Sequence, residues 1–293
     1  MRVHVVTIAY NSGDELGQML ASLPEAAPGI DLDVDIVDNG GASRAVDAAA
    51  HRYGARIIRP GRNLGYGQGA NLGFAHPRAE WLLLVNPDAE FTPGAITTLL
   101  QAAERWPRAG ALGPRLLDRT GEVYPSARRL PTLTTGIGHA LLAGIWPGNP
   151  FTRAYRGETT GEHSCGWLSG ACLLLRAQAF AEIGGFDPGY FMFFEDVDLG
   201  LRLRQAGWKS VYVPEAAVIH DQGTSWRERP AAMVRAHHAS AARYLSRVYH
   251  RPYQAPLRAA LHIGLDLRAR YLSRGDNPTQ ARRAARLRPG GKA

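Results

Sequence analysis

Four consecutive apolar residues, Leu82 to Val85, end abruptly at Asn86-Pro87-Asp88 in "LLLVNPDAEF". Such a run predicts a strand covered on both faces. Pro87 cannot donate a ladder hydrogen bond, so the strand stops near Asn86 and leaves Asp88 at its carboxyl end. Upstream, "VHVVTIAYN" (3–11) reads as a first strand, and "DELGQMLASL" follows with helical spacing. "DLDVDIVDNG" (31–40) alternates polar and apolar positions and breaks at Asn39-Gly40, giving a second strand and a turn. "DAAAHRY" predicts a helix and "ARIIRP" a short third strand, after which "GRNLGYGQGANLGFAHP" opens glycine-rich and turns helical. The Asn-Pro-Asp strand comes fourth, and "PGAITTLLQAAERW" is a proline-started helix. Strand and helix thus alternate four times within about 105 residues, the pattern of a parallel, doubly wound sheet.

Beyond that point the period changes. "GALGPRLLDRTGEVYPSAR" predicts two strands around a turn at Thr120-Gly121, and "CGWLSGACLLLRAQAF" one long strand entering a helix. "EDVDLGLRLRQAG" predicts an amphipathic helix stopped by Gly207. "WKSVYVPEAAVIHDQG" supplies a strand, a turn and another short strand, and the chain reads as helical from Pro230 to about Arg274.

Composition narrows the class. With 293 residues, 45% hydrophobic content and 33 glycines, the chain is long enough for one large α/β domain with extensions or for two small domains. The uncharged stretch Leu130–Thr152 contains Pro131, Pro147, Pro150 and four glycines, which argues against a membrane-spanning helix. The N-terminus lacks the long apolar core of a signal peptide, so a cytoplasmic protein is expected. Cys165 and Cys172 have no partners at metal-ligand spacing and read as small buried residues. The net charge of +8 is concentrated at the C-terminus: residues 268–293 hold eight Lys or Arg against one acid, Asp276. A basic tail of this kind suits an anionic surface, nucleic acid or lipid alike.

Candidate chemistry gathers at strand ends. Asp38 ends the second strand as Asp88 ends the fourth, the edge where open α/β sheets bind ligands. Between them, Asn63, Gly65, Gly67 and Asn71 belong to a glycine-rich turn before a helix, where a backbone can approach an anion. It follows the third strand and not the first, which discounts a nicotinamide enzyme. Glu195, Asp196 and Asp198 begin a helix directly after the apolar run Tyr190–Phe194. Dipole stabilisation and capping account for acids at such a place, Asp198 in particular. They account poorly for Glu195 and Asp196, whose desolvation would raise their pKa and make a general base. A lone carboxylate is a weak site for a hard cation, and His220, at the end of "AAVIH", offers a second ligand beside Asp88.

Taken together these segments resemble the inverting family 2 glycosyltransferases. "VVTIAYNSGDELGQMLASL", "VDNGG", "NLGYGQGANLGF", "LLLVNPDAEF", "GWLSGACLLLRAQAFAEIGGFDPGYFMFFEDVDLGLRLRQAGW" and "IHDQGTSW" lie in the family's order across most of residues 3–226. "NPD" in place of Asp-x-Asp, with "FFEDVDL", looks like the rhamnosyltransferase branch. The resemblance implies a GT-A fold: an α/β, doubly wound mixed sheet, with a Rossmann-like nucleotide half (1–107) and an acceptor half (108–229). A C-terminal helical extension (230–274) and a basic tail (275–293) would follow. It implies that Thr7 and Asp38 face the nucleotide, Asp38 on the pyrimidine edge. Asn63, Gly65, Gly67 and Asn71 would lie beside nucleotide and diphosphate, with Trp226 near the diphosphate. Asp88 and His220 would hold Mg²⁺ or Mn²⁺, and Asp196 would be the base with Glu195 as neighbour. Asn86 stands where the wider family's metal motif has its first acid, a replacement the branch shares. The implied reaction moves L-rhamnose from dTDP-rhamnose to a polyprenyl-diphosphate N-acetylglucosamine of the cell-wall linker between peptidoglycan and arabinogalactan. UDP-galactofuranose or another deoxysugar is the next donor.

Other classes fit less well. A sugar nucleotidyltransferase usually carries a lysine in a glycine-rich loop near the first strand, whereas this chain has only Lys209 and Lys292. Nucleic acid is not an expected partner, since no zinc-finger or RNA-binding signature appears. A catalytically silent GT-A domain binding nucleotide or lipid remains, and product formation distinguishes it from an enzyme. A polyprenyl acceptor also implies work at the inner face of the membrane. In "PLRAALHIGLDLRARYLSRG" the polar stripe Arg258, His262, Asp266, Arg270 and Arg274 leaves an apolar remainder. That remainder would contact anionic lipid together with the basic tail, or pack on the body or a second subunit. "GIGHALLAGIW" (136–146) is a second candidate contact.

Overall fold

A computed structural model describes residues 1–132, 160–220 and 230–273. Trp226, the stretch 136–146 and the tail 275–293 lie outside them. The first half follows the expected alternation: β1 (Arg2–Ala9), α1 (Asp14–Ala26), β2 (Asp31–Asp38), α2 (Arg44–Tyr53), β3 (Arg56–Ile58), α3 (Tyr66–Gly73) and β4 (Trp81–Val85). β5 (Ala89–Phe91), α4 (Ala95–Arg105), β6 (Ala109–Leu117), β7 (Val123–Tyr124), β8 (Ala127–Arg128), β9 (His163–Cys165), β10 (Trp167–Leu168) and β11 (Cys172–Arg176) come next. The remainder is α5 (Ala177–Glu182), α6 (Glu195–Gln205), β12 (Lys209–His220), α7 (Pro230–Val248) and α8 (Ala255–Ser273), the last two joined through a single 3₁₀ turn at Pro252–Gln254.

The main sheet runs β3-β2-β1-β4-β11-β6-β12-β5. β1 is parallel to both β2 and β4, and β2 to β3, whereas β11 is antiparallel to β4 and to β6. The sheet is therefore mixed, with a parallel N-terminal half. Every residue of β4 is buried, as its unbroken apolar run requires. Leu83 and Val85 belong to one core cluster and Leu82 and Leu84 to a second, so alternate side chains serve different apolar layers.

Three details depart from the pattern reading. "CGWLSGACLLLR" is not one strand: β10 pairs with β8 in a separate two-stranded sheet, and the chain breaks at Ser169–Ala171 before β11 joins the main sheet. "WKSVYVPEAAVIH" is one strand with a register shift between Val213 and Ala217, so Pro214 makes a bulge and not a turn. The polar–apolar alternation of β2 conceals a buried acid. Asp35 is fully buried and accepts from Arg56 Nε (2.9 Å), with Arg78 Nη2 at 2.8 Å and His4 Nε2 at 2.9 Å.

The described chain divides into two compact units. One comprises residues 1–188 and 195–222; the other joins Gly189–Phe194 to residues 223–293. In the second unit α7 and α8 pack together, and α7 holds the short segment. Ser240 Oγ donates to Met192 O (2.8 Å), Arg243 stacks over Tyr190, and His237 lies 5.5 and 5.3 Å from the Phe193 and Phe194 rings. The expected boundary at residue 229 does not separate out this segment. No helix among the described residues is long and apolar enough to cross a membrane.

Candidate active site

The carboxyl ends of β1, β2 and β4 carry the first group of polar residues. Thr7, on β1 between Ile36 of β2 and Val85 of β4, is fully buried, and its hydroxyl has no hydrogen-bond partner among the described residues. Asp38 is buried and accepts from Arg59 Nε at 3.3 Å. Asn39, which the sequence marked only as a turn, donates from Nδ2 to Gly65 O (2.9 Å) and so ties the end of β2 to the glycine-rich turn. In that turn Asn63 Oδ1 accepts from Gly65 N (2.8 Å), and Gly65 has φ +80°, a conformation strained for any residue with a Cβ.

The glycines that follow have a packing cause. A Cβ on Gly67 would come within 3.0 Å of the Phe186 Cβ, on Gly69 within 3.2 Å of Ile8 and of Asn39, and on Gly73 within 2.4 Å of Val6. The close approach they permit is that of α3 to the sheet and to Phe186. Asn71 completes the contact: Nδ2 donates to Phe186 O and Oδ1 accepts from Phe186 N, both at 2.8 Å. Its amide is engaged with protein backbone, which assigns Asn71 to holding the 184–188 turn.

Strand pairing accounts for the second group. β5 runs antiparallel to β12 with Ala89 opposite His220, so residues far apart in sequence become neighbours. His220 Nε2 lies 3.3 Å from Asp88 Oδ1 and 3.1 Å from Asn86 Nδ2. His220 Nδ1 is buried without a hydrogen-bond partner among the described residues. No cluster of three or more His, Cys, Asp or Glu suited to a metal occurs among the described residues, so a cation at Asp88 and His220 would draw further ligands from substrate oxygens and water. That donor set fits Mg²⁺ or Mn²⁺ bound to a diphosphate.

The third group surrounds the start of α6. Phe193 and Phe194 have φ of 65° and 63°, a rare conformation for aromatic residues, and they lead directly into Glu195. Glu195 is buried, and its Oε2 has no partner among the described residues. Burial, and then the charge of Asp196, pushes its carboxyl up to about 8. Asp196 is half-buried, and burial raises its pKa too. Two backbone donors oppose that shift, Gly170 N at 3.1 Å and Val197 N at 2.8 Å. Of the two neighbours, Asp196 is the one equipped to stay ionised. Tyr66, which sequence reasoning passed over, donates its hydroxyl to Gly170 O (2.5 Å), fixing the residue that holds Asp196. Burial, and after it the charges of Glu195, Asp196 and Asp88 among others, push the Tyr66 hydroxyl well above its ordinary range. A Cβ on Gly170 would meet Tyr66 Cε1 at 3.3 Å and Asp196 Oδ2 at 3.7 Å, so this glycine lets phenol and carboxylate close on one point.

Asp198 belongs to the packing of α6. It is fully buried and accepts from Arg202 Nε (2.6 Å), whose Nη1 caps the carbonyls of Ile183 (2.8 Å) and Gly185 (2.6 Å). Cys172 is buried and Cys165 half-buried; both thiols are free and raised by burial, in keeping with inert small residues.

Comparison with known proteins bears on the whole arrangement. The profile of Glycosyl transferase family 2 matches residues 4–184, and that of Glycosyl transferase family group 2 matches 149–246. The N-acetylglucosaminyl-diphospho-decaprenol L-rhamnosyltransferase of Mycobacterium tuberculosis is 43% identical over 97% of this chain and 96% of its own. Rhamnosyltransferase WbbL of Escherichia coli is 26% identical over 84% of this chain and 93% of its own. Among solved structures, a mannosyltransferase from Pyrobaculum calidifontis in complex with GDP-Man and Mn²⁺ superposes with a TM-score of 0.59 at 14% identity, covering 97% of this chain and 79% of that one. The mixed sheet of this order, with polar groups at its parallel strand ends, has the GT-A fold. The chain belongs to glycosyl transferase family 2.

Proposed function

We propose that the protein transfers L-rhamnose from dTDP-rhamnose to a polyprenyl-diphosphate-linked N-acetylglucosamine, with inversion, at the cytoplasmic face of the membrane. The observation that carries this reading is the 43% identity to the mycobacterial L-rhamnosyltransferase across nearly the full length of both chains. The chemistry of the acidic pair supports it. Asp196, its charge stabilised by the Gly170 and Val197 amides, takes the proton from the acceptor hydroxyl on the face opposite the departing nucleotide. Glu195 remains protonated at neutral pH because burial raises it to about 8, so it adds no second negative charge beside the base. Thr7 and Asp38 are assigned to the nucleotide base, and Asn63, Gly65 and Gly67 to the turn alongside it. Trp226 is assigned to the diphosphate. Asp88 and His220 hold a divalent cation, which when bound neutralises charge developing on the leaving diphosphate.

The test is a panel of nucleotide sugars, dTDP-rhamnose and UDP-galactofuranose among them, offered to purified protein with a synthetic polyprenyl-diphosphate N-acetylglucosamine. Mass spectrometry should detect a product heavier by one deoxyhexose with dTDP-rhamnose, abolished by chelation and restored by Mg²⁺ or Mn²⁺. Preferential use of another donor would overturn the rhamnosyl assignment, and activity insensitive to chelation would overturn the cation.

A further inference from the structure

α8 has two unlike faces. Arg258, Leu261, Leu265 and Ala269, three or four residues apart, lie on the side packed against α7. Arg258 Nη1 donates to Tyr249 O (2.7 Å) and Arg251 O (2.9 Å), and His262 Nε2 lies 2.7 Å from Ser246 Oγ of α7. The polar stripe read from the sequence is thus partly committed to the helix pair, and the outward face is apolar. Leu257, Ala260, Ile263, Leu267 and Tyr271 share it, with Ile263, Leu267 and Tyr271 exposed by 62%, 60% and 75%. Side chains of this kind in a continuous stripe along a helix of 19 residues, about 28 Å, are costly to leave in water.

We propose that this stripe is an interfacial docking face for an anionic lipid surface. Its borders carry the matching charge: Arg268 on one side and Arg270 on the other, with Asp266 the helix's single acid, paired to Arg270 at 2.8 Å. The sequence that continues past Ser273 holds six basic residues and one acid. A second copy docked through the same stripe would bring these like charges together, which disfavours self-association. The helix is too short of apolar residues to span, so it lies in the headgroup region with its apolar side inserted. The choice of lipid rests on the polyprenyl acceptor proposed above, since a lipid-linked substrate has to be met at a membrane.

Full-length protein is mixed with phosphatidylcholine vesicles or with vesicles that also contain phosphatidylglycerol, then sedimented. The parent should bind the anionic vesicles, release as salt rises, and bind neutral ones weakly. Ile263→Ser combined with Leu267→Ser and Tyr271→Ser should lower partitioning at least ~10-fold. Leu267→Asp alone should lower it in the same direction, with an unfolding temperature like the parent's, and neither variant should change turnover on a short-chain, water-soluble acceptor. Equal sedimentation of parent and variants would overturn the proposal. So would a parent dimer in sedimentation velocity that the triple variant converts to monomer without a change in vesicle binding. Vesicle binding that persists while no donor is used would sink the rhamnosyltransferase reading and leave the docking face standing.

Discussion

Asp196 and Glu195 are adjacent in the chain and differ in what surrounds them. Asp196 receives two backbone N–H groups; Glu195 Oε2 receives nothing among the described residues and is held near neutrality by burial. Replacing Asp196 by Asn should therefore cut turnover at least ~10²-fold while nucleotide affinity, measured by calorimetry, stays near that of the parent. Glu195 makes a prediction of opposite character. Its folded pKa of about 8 exceeds the ordinary 4.5, so between those values the folded state holds a proton that the unfolded chain has lost. Stability falls as pH rises through that window. Glu195→Gln carries no such proton, so its unfolding midpoint in urea should decline less than the parent's from the acid end of the window to the alkaline end. An identical decline in both proteins would place Glu195 in a solvated setting. The order Glu-Asp after an aromatic run marked a candidate site in the sequence, and the family resemblance implied Asp196 as base. The surroundings that distinguish the two acids were not legible, because they depend on Gly170 and Tyr66, which approach from other parts of the chain.

At the scale of elements, legibility followed the range of the interactions that decide each one. β1 to β4 and their helices were readable because apolar runs, Pro87 and the turn residues act locally. The break between β10 and β11 was not, since it arises where Ser169 N turns to Ser126 O (2.8 Å) and Asn86 N takes Ala171 O (2.9 Å). The glycines of α3 were legible as glycines, but their packing against Val6, Ile8 and Phe186 was not, because those residues come from other parts of the chain. Pairing of β5 with β12 is likewise long-range, and it brings His220 beside Asp88. If that pair holds the cation, His220→Ala should weaken nucleotide diphosphate binding in the presence of Mn²⁺ and alter it little without metal. Calorimetry with and without the ion measures the difference. Parent-like binding under both conditions would remove His220 from the metal.

The organisation of the whole chain turns on six residues that sequence boundaries would give to the catalytic domain. Gly189–Phe194 belongs with the C-terminal helices, and Arg243 lies so close that a Cβ on Gly189 would clash with its guanidinium. Phe193 and Phe194 are held in left-handed backbone conformations, which cost about 1–2 kcal/mol for each residue with a side chain and persist only where neighbours enforce them. The neighbours are His237 and Tyr244 of α7, against the two phenyl rings, and Ser240, on Met192 O. The next residues along the chain are Glu195 and Asp196. Removing residues 230–293 should therefore do more than abolish the proposed contact with membranes. The strained segment relaxes, the start of α6 shifts, and turnover on a short-chain, water-soluble acceptor falls at least ~10-fold, since small displacements of a reacting group carry large kinetic penalties. Far-UV circular dichroism should still report the sheet, and nucleotide affinity should change little, because Thr7, Asp38 and the 63–67 turn lie in the other unit. Full turnover by the truncated chain would show that the helices serve docking alone and that the 189–194 backbone holds its conformation without them.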